Sequence, residues 1–298
     1  MSRWSIVLIT AAALLVGAAF GVLSLGTRQP TPASIVYPSP YDSPQQFMEG
    51  FYAADHAMEP ATGTIRALIV PHHLTATATL ASGMKALAGQ HFTKILLLSP
   101  DHFSRCETTL CTVNATYQTE FGVIHATTAT VDGLLDSPIV SSNPGLFQAE
   151  HGIYAVLPYI AHDVPGVEVT PLVISQKTTA WKNDRPKILA LLQRVIDPDT
   201  VLVVSSDFSH YLPLARASQM DEATLKVLLA ADLDGLASLK DPDQSDCPGC
   251  LWALGALAQE RDFYHPTVVL HTNSATILGE PTIPSTTSHF AIIWKQGD

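Results

Sequence analysis

The chain has 298 residues, 47% of them hydrophobic and 14% charged, with 27 Asp and Glu against 16 Lys and Arg for a formal net charge of −11. That is enough chain for one large domain or two small ones, and its charge-poor composition excludes a disordered chain. No basic run follows Arg28, so nothing stands ready to neutralise a phosphate backbone and no nucleic acid partner is expected.

From Trp4 to Thr27 no charged residue interrupts a run of Ile, Val, Leu, Ala, Phe and Gly. At about 1.5 Å per residue the run can cross a bilayer core of about 30 Å, so residues 1–28 are predicted to be a single-pass transmembrane anchor. The residues after Leu25 make a poor cleavage site, which favours retention over a cleaved secretory leader. Arg3 and Arg28 flank the run and code its orientation weakly; the bulk of the chain is expected outside the cytoplasm. Residues 29–43, bearing Pro and Ser, are expected to form an extended linker, and residues 44–298 one folded domain.

In chain order, short apolar runs alternate with amphipathic stretches. Strands are predicted at 65–70, 94–99, 167–174, 200–205, 267–271 and 290–294, and helices at 75–88, 151–161, 184–196, 218–231 and 251–260. The expected architecture is a single α/β domain whose mostly parallel central sheet is flanked by helices. Four cysteines fall in two close pairs, Cys106 with Cys111 and Cys247 with Cys250. Two disulfides, one disulfide plus a metal thiolate, and four free thiols all fit that spacing, and an extracytoplasmic location suits the first.

Three predicted strands run straight into histidine or an Asp/His pair. Val70 is followed by Pro71-His72-His73, Ser99 by Pro100-Asp101-His102, and Ser205 by Ser206-Asp207-Phe208-Ser209-His210. Ligands of an open α/β sheet sit at the carboxyl ends of its strands, so these groups are expected to converge on one crevice. A lone histidine after a strand is more often a solvated loop residue than a ligand; three such ends in one chain reverse that expectation. Two neutral imidazoles and a third ligand leave a metal with an open position.

Glu150-His151 opens a predicted helix, where Glu150 can simply favour the helix amino end or, with His151, reach the crevice as a base or as the orienter of a metal-bound histidine. Cys247-Pro248-Gly249-Cys250 precedes another helix, where a thiolate can ligate a soft metal, close a small disulfide or lie inert. Pocket walls are expected from 103–119 and 272–288, with polar groups from Thr116–Phe121 and from 271–274.

Taken together, Pro71-His72, Ser99-Pro100-Asp101-His102, Glu150-His151-Gly152-Ile153 with Leu157-Pro158-Tyr159, Ser205 to His210 and Cys247 resemble the Memo family in order and rough spacing, from about Ala67 onward. Many prokaryotic members are labelled component B of the AmmeMemoRadiSam system, which implies a functional link to a radical SAM protein. The family's fold resembles that of the class III extradiol dioxygenases. Carried over residue by residue, the resemblance implies metal ligands at His72, His102 and Cys247. It further implies an acid/base at His210 beside Asp207, with Glu150 and His151 lining the same region.

Departures accompany the matches. The family's Pro-His-Ala-Gly-Tyr is Pro71-His72-His73-Leu74-Thr75 here, its Pro-Ser-His-His is Pro100-Asp101-His102-Phe103, and its Cys-Gly is Cys247-Pro248 with Cys250 nearby. The amino-terminal Ala-Gly-Ser motif has only Glu49-Gly50-Phe51-Tyr52 as a faint counterpart. The expected function is a metal-dependent oxidoreductase using iron or copper on a small-molecule or peptide substrate at a membrane surface. A non-catalytic binding module with the same pocket, and a zinc hydrolase using Glu150 or His210 as base, are the alternatives. No Gly-x-Ser-x-Gly, phosphate-cradling loop or dinucleotide fingerprint is present.

Overall fold

Successive residues of the central strands point to opposite faces, and both faces are buried. Leu68, Val70, Ile95, Leu97, Val201 and Val203 enter one apolar cluster; Ala67, Ile69, Leu96, Leu98, Leu202 and Val204 enter the other. These contacts come from a computed structural model that describes residues 35–57, 62–176 and 180–297.

The first half contains β1 (Ile35–Tyr37), α1 (Gln45–Ala57), β2 (Ile65–Val70), α2 (Thr77–Lys85), β3 (Lys94–Pro100), β4 (Leu110–Thr112), β5 (Ala115–Thr119) and β6 (Gly122–His125). Next come α3 (Thr128–Leu135), β7 (Val140–Ser142), α4 (Pro144–Phe147), α5 (His151–Tyr154), α6 (Leu157–Asp163), β8 (Glu168–Ile174), α7 (Ala180–Asn183) and α8 (Arg185–Val195). The chain ends with β9 (Thr200–Ser205), α9 (Leu214–Leu229), α10 (Leu233–Ala237), α11 (Pro248–Glu260), β10 (Phe263–Asn273), α12 (Ser274–Leu278) and β11 (Ser288–Gln296).

An eight-stranded sheet has the order β10-β11-β2-β9-β3-β8-β4-β7. Strands β2, β9, β3 and β8 are parallel neighbours, whereas β11 runs antiparallel to β2 and to β10, and β4 antiparallel to β8. The sheet is therefore mixed, which corrects the expectation of a mostly parallel one: the parallel block is extended on each side by strands that return in the opposite sense. Helices cover both faces. Helix α11 is buried from Pro248 to Ala258, and α2 from Thr79 to Met84.

Other expectations shift in ways that have physical causes. Tyr37 is buried, and Ile35–Tyr37 pairs in parallel with β5 in a separate three-stranded sheet, so the linker expected over 29–43 already belongs to the domain from Ile35. The helix predicted over 151–161 is two helices, because Pro158 lacks a backbone N–H and sits in the first turn of α6. Both cysteine pairs are disulfides: Cys106–Cys111 with Cα atoms 5.7 Å apart, and Cys247–Cys250 with Cα atoms 5.2 Å apart. The predicted anchor at residues 1–28 lies outside the described residues. Among the described residues no helix is long and apolar enough to cross a membrane.

Candidate metal centre

The register of the sheet aligns the three strand ends. Val70 of β2 is paired with Ser205 of β9, and Val204 with Leu98 of β3, so the residues that follow emerge side by side. The result is a cleft of about 450 Å³ whose lining includes His72, His102, His151, Asp207 and His210. Phe103, Tyr211 and the hydroxyl-bearing Ser274, Ser285, Thr286 and Thr287 complete much of its wall. The loop expectation for 272–288 holds at these positions, and that for 103–119 at Phe103. Thr116–Thr119 instead belongs to β5 in the small sheet, away from the cleft lining.

His72 is buried beneath this cleft. Its Nδ1 lies 3.0 Å from the Ser205 hydroxyl, and its Nε2 lies 3.1 Å from Asp246 Oδ2 and 3.4 Å from Asp207 Oδ2. His102 comes in from β3, with Nε2 3.7 Å from the same Asp246 oxygen. The ring of His151 lies 3.8 Å from that of His102 and 5.4 Å from that of His72. Two groups could hold a metal ion, His72 with His102 and His151, and His72 with Asp207 and Asp246; they share His72, and Asp246 Oδ2 also lies near His102, so a set drawn from both is within reach.

Glu150 combines both roles considered for it. Its Oε1 accepts from Gly152 N at 2.9 Å, capping α5, and from His102 Nδ1 at 2.6 Å; its Oε2 accepts from His102 N at 3.1 Å. A carboxylate only accepts, so the proton of His102 sits on Nδ1 and Nε2 is left as the donor to a metal. Glu150 is fully buried in this task, which argues against its use as a free base. Gly152 is needed for the arrangement, since a Cβ there would stand 2.2 Å from Ser99 Oγ and 3.3 Å from His102 Cε1. Gly152→Ala is expected to cost about 1–3 kcal/mol through overpacking and to weaken metal retention, read by thermal unfolding and metal analysis; an unchanged melting temperature would refute it.

The expected pairing of Asp207 with His210 is corrected. Asp207 Oδ1 accepts from Nδ1 of His289 at 2.7 Å, and both residues are fully buried. His210 is oriented by a backbone carbonyl instead, donating from Nδ1 to Phe208 O at 2.6 Å, which leaves Nε2 as its basic nitrogen. His289 was missed because it opens an antiparallel strand: β11 brings its amino end, not its carboxyl end, to the edge where β2 finishes. Asp101 also takes a structural place, accepting from Arg105 N and Cys106 N and so holding the loop after His102.

The expectation that Cys247 ligates a metal is overturned. Its sulfur is bonded to Cys250, and both residues lie in the apolar cluster with Trp181 and Trp252. Asp246 faces the imidazoles in its stead, a residue the sequence reading passed over.

The electrostatics are those of a cation site. Burial opposes a charge on His102, but the carboxylates of Asp246 and Glu150 outweigh it and raise its pKa to about 10. His72 is raised against its burial by Asp207 and Asp246. Burial and the neighbouring charges of His102 and His72 push His151 down to about 4. Burial likewise opposes ionisation of Asp207, yet His289 and His72 hold it at about 2. Asp246 is held well below the usual carboxylate range, chiefly by His72 and His102 against burial. Protons on imidazole thus occupy the place that a metal cation would take between the same carboxylates.

Imidazoles and buried carboxylates gathered at the carboxyl edge of an α/β sheet form a cleft that could hold a metal ion. A family model described as Memo-like protein matches residues 28–251, and the chain belongs to that family. A MEMO1 family protein of Pyrobaculum arsenaticum is 24% identical over 270 residues, covering 85% of this chain and 94% of the relative. A second, from Methanococcus maripaludis, is 23% identical over 218 residues, covering 68% and 76%. A third, from Aquifex aeolicus, is 22% identical over 207 residues, covering 67% and 74%.

Proposed function

We propose that this protein is a metal-dependent oxidoreductase whose transition-metal ion is held at the cleft floor by His72 and His102 with a buried carboxylate. The observation that carries this reading is Asp246 Oδ2. It is buried without a hydrogen-bond partner, as is Asp207 Oδ2, and it stands 3.1 Å from His72 Nε2. A buried carboxylate oxygen is costly unless a cation compensates it, and the imidazoles that do so in the metal-free protein are placed to give way to a metal ion. When bound, the metal supplies a Lewis acid and a redox centre open to the cleft.

The chain's own residues supply the remainder. Glu150 orients His102, Ser205 holds His72, and His210, with Nε2 basic, takes or returns a proton at the rim. Phe103 and Tyr211 are exposed rings on the cleft wall that shield a substrate from water. The described lining contains no Lys or Arg, which favours a neutral small molecule or peptide segment over a polyanion. The apolar run at residues 4–27 and the two disulfides support a domain tethered to a membrane on its oxidising side. A working link to a radical SAM protein is proposed on the family resemblance alone.

The test is elemental analysis of the full-length protein purified without chelator, followed by oxygen-uptake assays over a panel of small aromatic compounds and peptides. About one iron or copper per chain with substrate-dependent uptake is expected. Bound metal with no turnover on any compound would favour a binding module, and zinc alone with ester or amide cleavage would favour a hydrolase.

A further inference from the structure

The backbone at the carboxyl edge decides which of two neighbouring residues reaches the metal. Asp246 N donates to Asp207 O at 3.2 Å, tying this segment to the end of β9. The Asp246 carbonyl accepts from Gln176 Nε2, and its Oδ1 accepts from the Ser206 hydroxyl at 2.9 Å. With Oδ1 so anchored, Oδ2 is aimed between the imidazoles, 3.1 Å from His72 Nε2 and 3.7 Å from His102 Nε2. Among the described residues it is the carboxylate oxygen that approaches both ring nitrogens.

The next residue points elsewhere. Cys247 is the N-cap of α11, with φ −137° and ψ 67°. Its sulfur joins Cys250 in the apolar cluster beneath the cleft.

We infer that Asp246, and not Cys247, is the third protein donor, so that this chain holds its metal with two histidines and one carboxylate. The inference rests on the metal centre proposed above. It changes the chemistry of the site, since thiolate suits copper(I) whereas two imidazoles with one carboxylate, set on one side of an open cleft, suit ferrous iron. It also separates metal binding from thiol oxidation: the cysteine pair can be oxidised throughout without loss of a ligand.

Three full-length proteins decide the matter: wild type, Asp246→Asn, and a double variant with Cys247→Ser and Cys250→Ser. Each is titrated with ferrous iron under anaerobic conditions, and wild type is also loaded with cobalt(II) for its absorption spectrum. Asn keeps the shape and an acceptor for Ser206 but removes the charge, and it is expected to weaken iron by at least about 100-fold, beyond what outer partners of a ligand are worth. The double variant is expected to bind within about threefold of wild type, and cobalt-loaded wild type to lack a sulfur-to-metal charge-transfer band. The band reads the ligand in a protein whose disulfide was never disturbed, so a folding defect in the double variant does not obscure the answer. A thiolate band, or iron retained by Asp246→Asn, would overturn the carboxylate donor while leaving the metal centre standing. No binding of iron or cobalt by wild type would overturn the centre itself, and this inference with it.

Discussion

Glu150→Ala is expected to lower metal affinity by about 10–100-fold, the range found when the orienting partner of a metal-bound histidine is lost. The same change destabilises the metal-free domain. Glu150 is fully buried and accepts three hydrogen bonds, from Gly152 N, His102 N and His102 Nδ1. Removing it leaves two backbone donors and a protonated imidazole without their acceptor, a loss at the lower end of about 3–5 kcal/mol because the His102 side chain is 20% exposed. Glu150→Gln keeps acceptors for the backbone and is expected to recover much of the stability but little of the affinity. Thermal unfolding in chelator and metal titration measure the two effects separately. A variant that keeps wild-type affinity would show that His102 is held by its own packing.

The second large effect is of pH, and its sign differs with and without metal. In the metal-free protein the pKa of His102 is raised to about 10, so its ion pair contributes fully below the ordinary histidine value of about 6.5. That contribution is lost as pH rises through about 10. Asp207, lowered to about 2, contributes above the ordinary carboxylate value of about 3.9 and loses its contribution as pH falls through about 2. Metal binding runs the other way at neutral pH, because the metal needs neutral imidazoles and must displace protons from His102 and from His72, whose pKa is also raised. Apparent affinity is expected to rise about 10–100-fold per pH unit near neutrality, with proton release measured by calorimetry in buffers of different ionisation enthalpy. A pH-independent affinity would mean that the imidazoles are neutral before the metal arrives.

The parts of this molecule that could be read from its sequence are those governed by local pattern. The buried strands 65–70 and 200–205 carry enough Ile, Leu and Val to be bounded correctly, with Pro71 directly after the first, whereas β3 runs one residue beyond its expected end, through Pro100. His72, His102, His151, Asp207 and His210 were found through those strand ends and through Glu150-His151, and all five line the cleft. What escaped depends on long-range geometry. His289 needs the antiparallel course of β11, and β1 is three residues long and defined by its pairing with β5. Asp246 is set against the imidazoles by its bonds to Ser206, Gln176 and Asp207, none of which sequence spacing encodes. Glu150 was identified, yet its two roles became one only when the end of β3 was seen to pass over the start of α5.

The ligands and their supports come from every part of the chain, and the consequence concerns folding. The His72–Ser205 contact alone spans 133 positions, and Asp207–His289 spans 82. Such contacts close only after large loops have been fixed, so the site belongs to the last, slow stage of assembly. The proposed ligands His72, His102 and Asp246 lie far apart in the sequence, unlike those of a zinc finger. An ion bound there would meet a finished cleft rather than nucleate the fold, and would raise the melting temperature by mass action, in proportion to the logarithm of its free concentration.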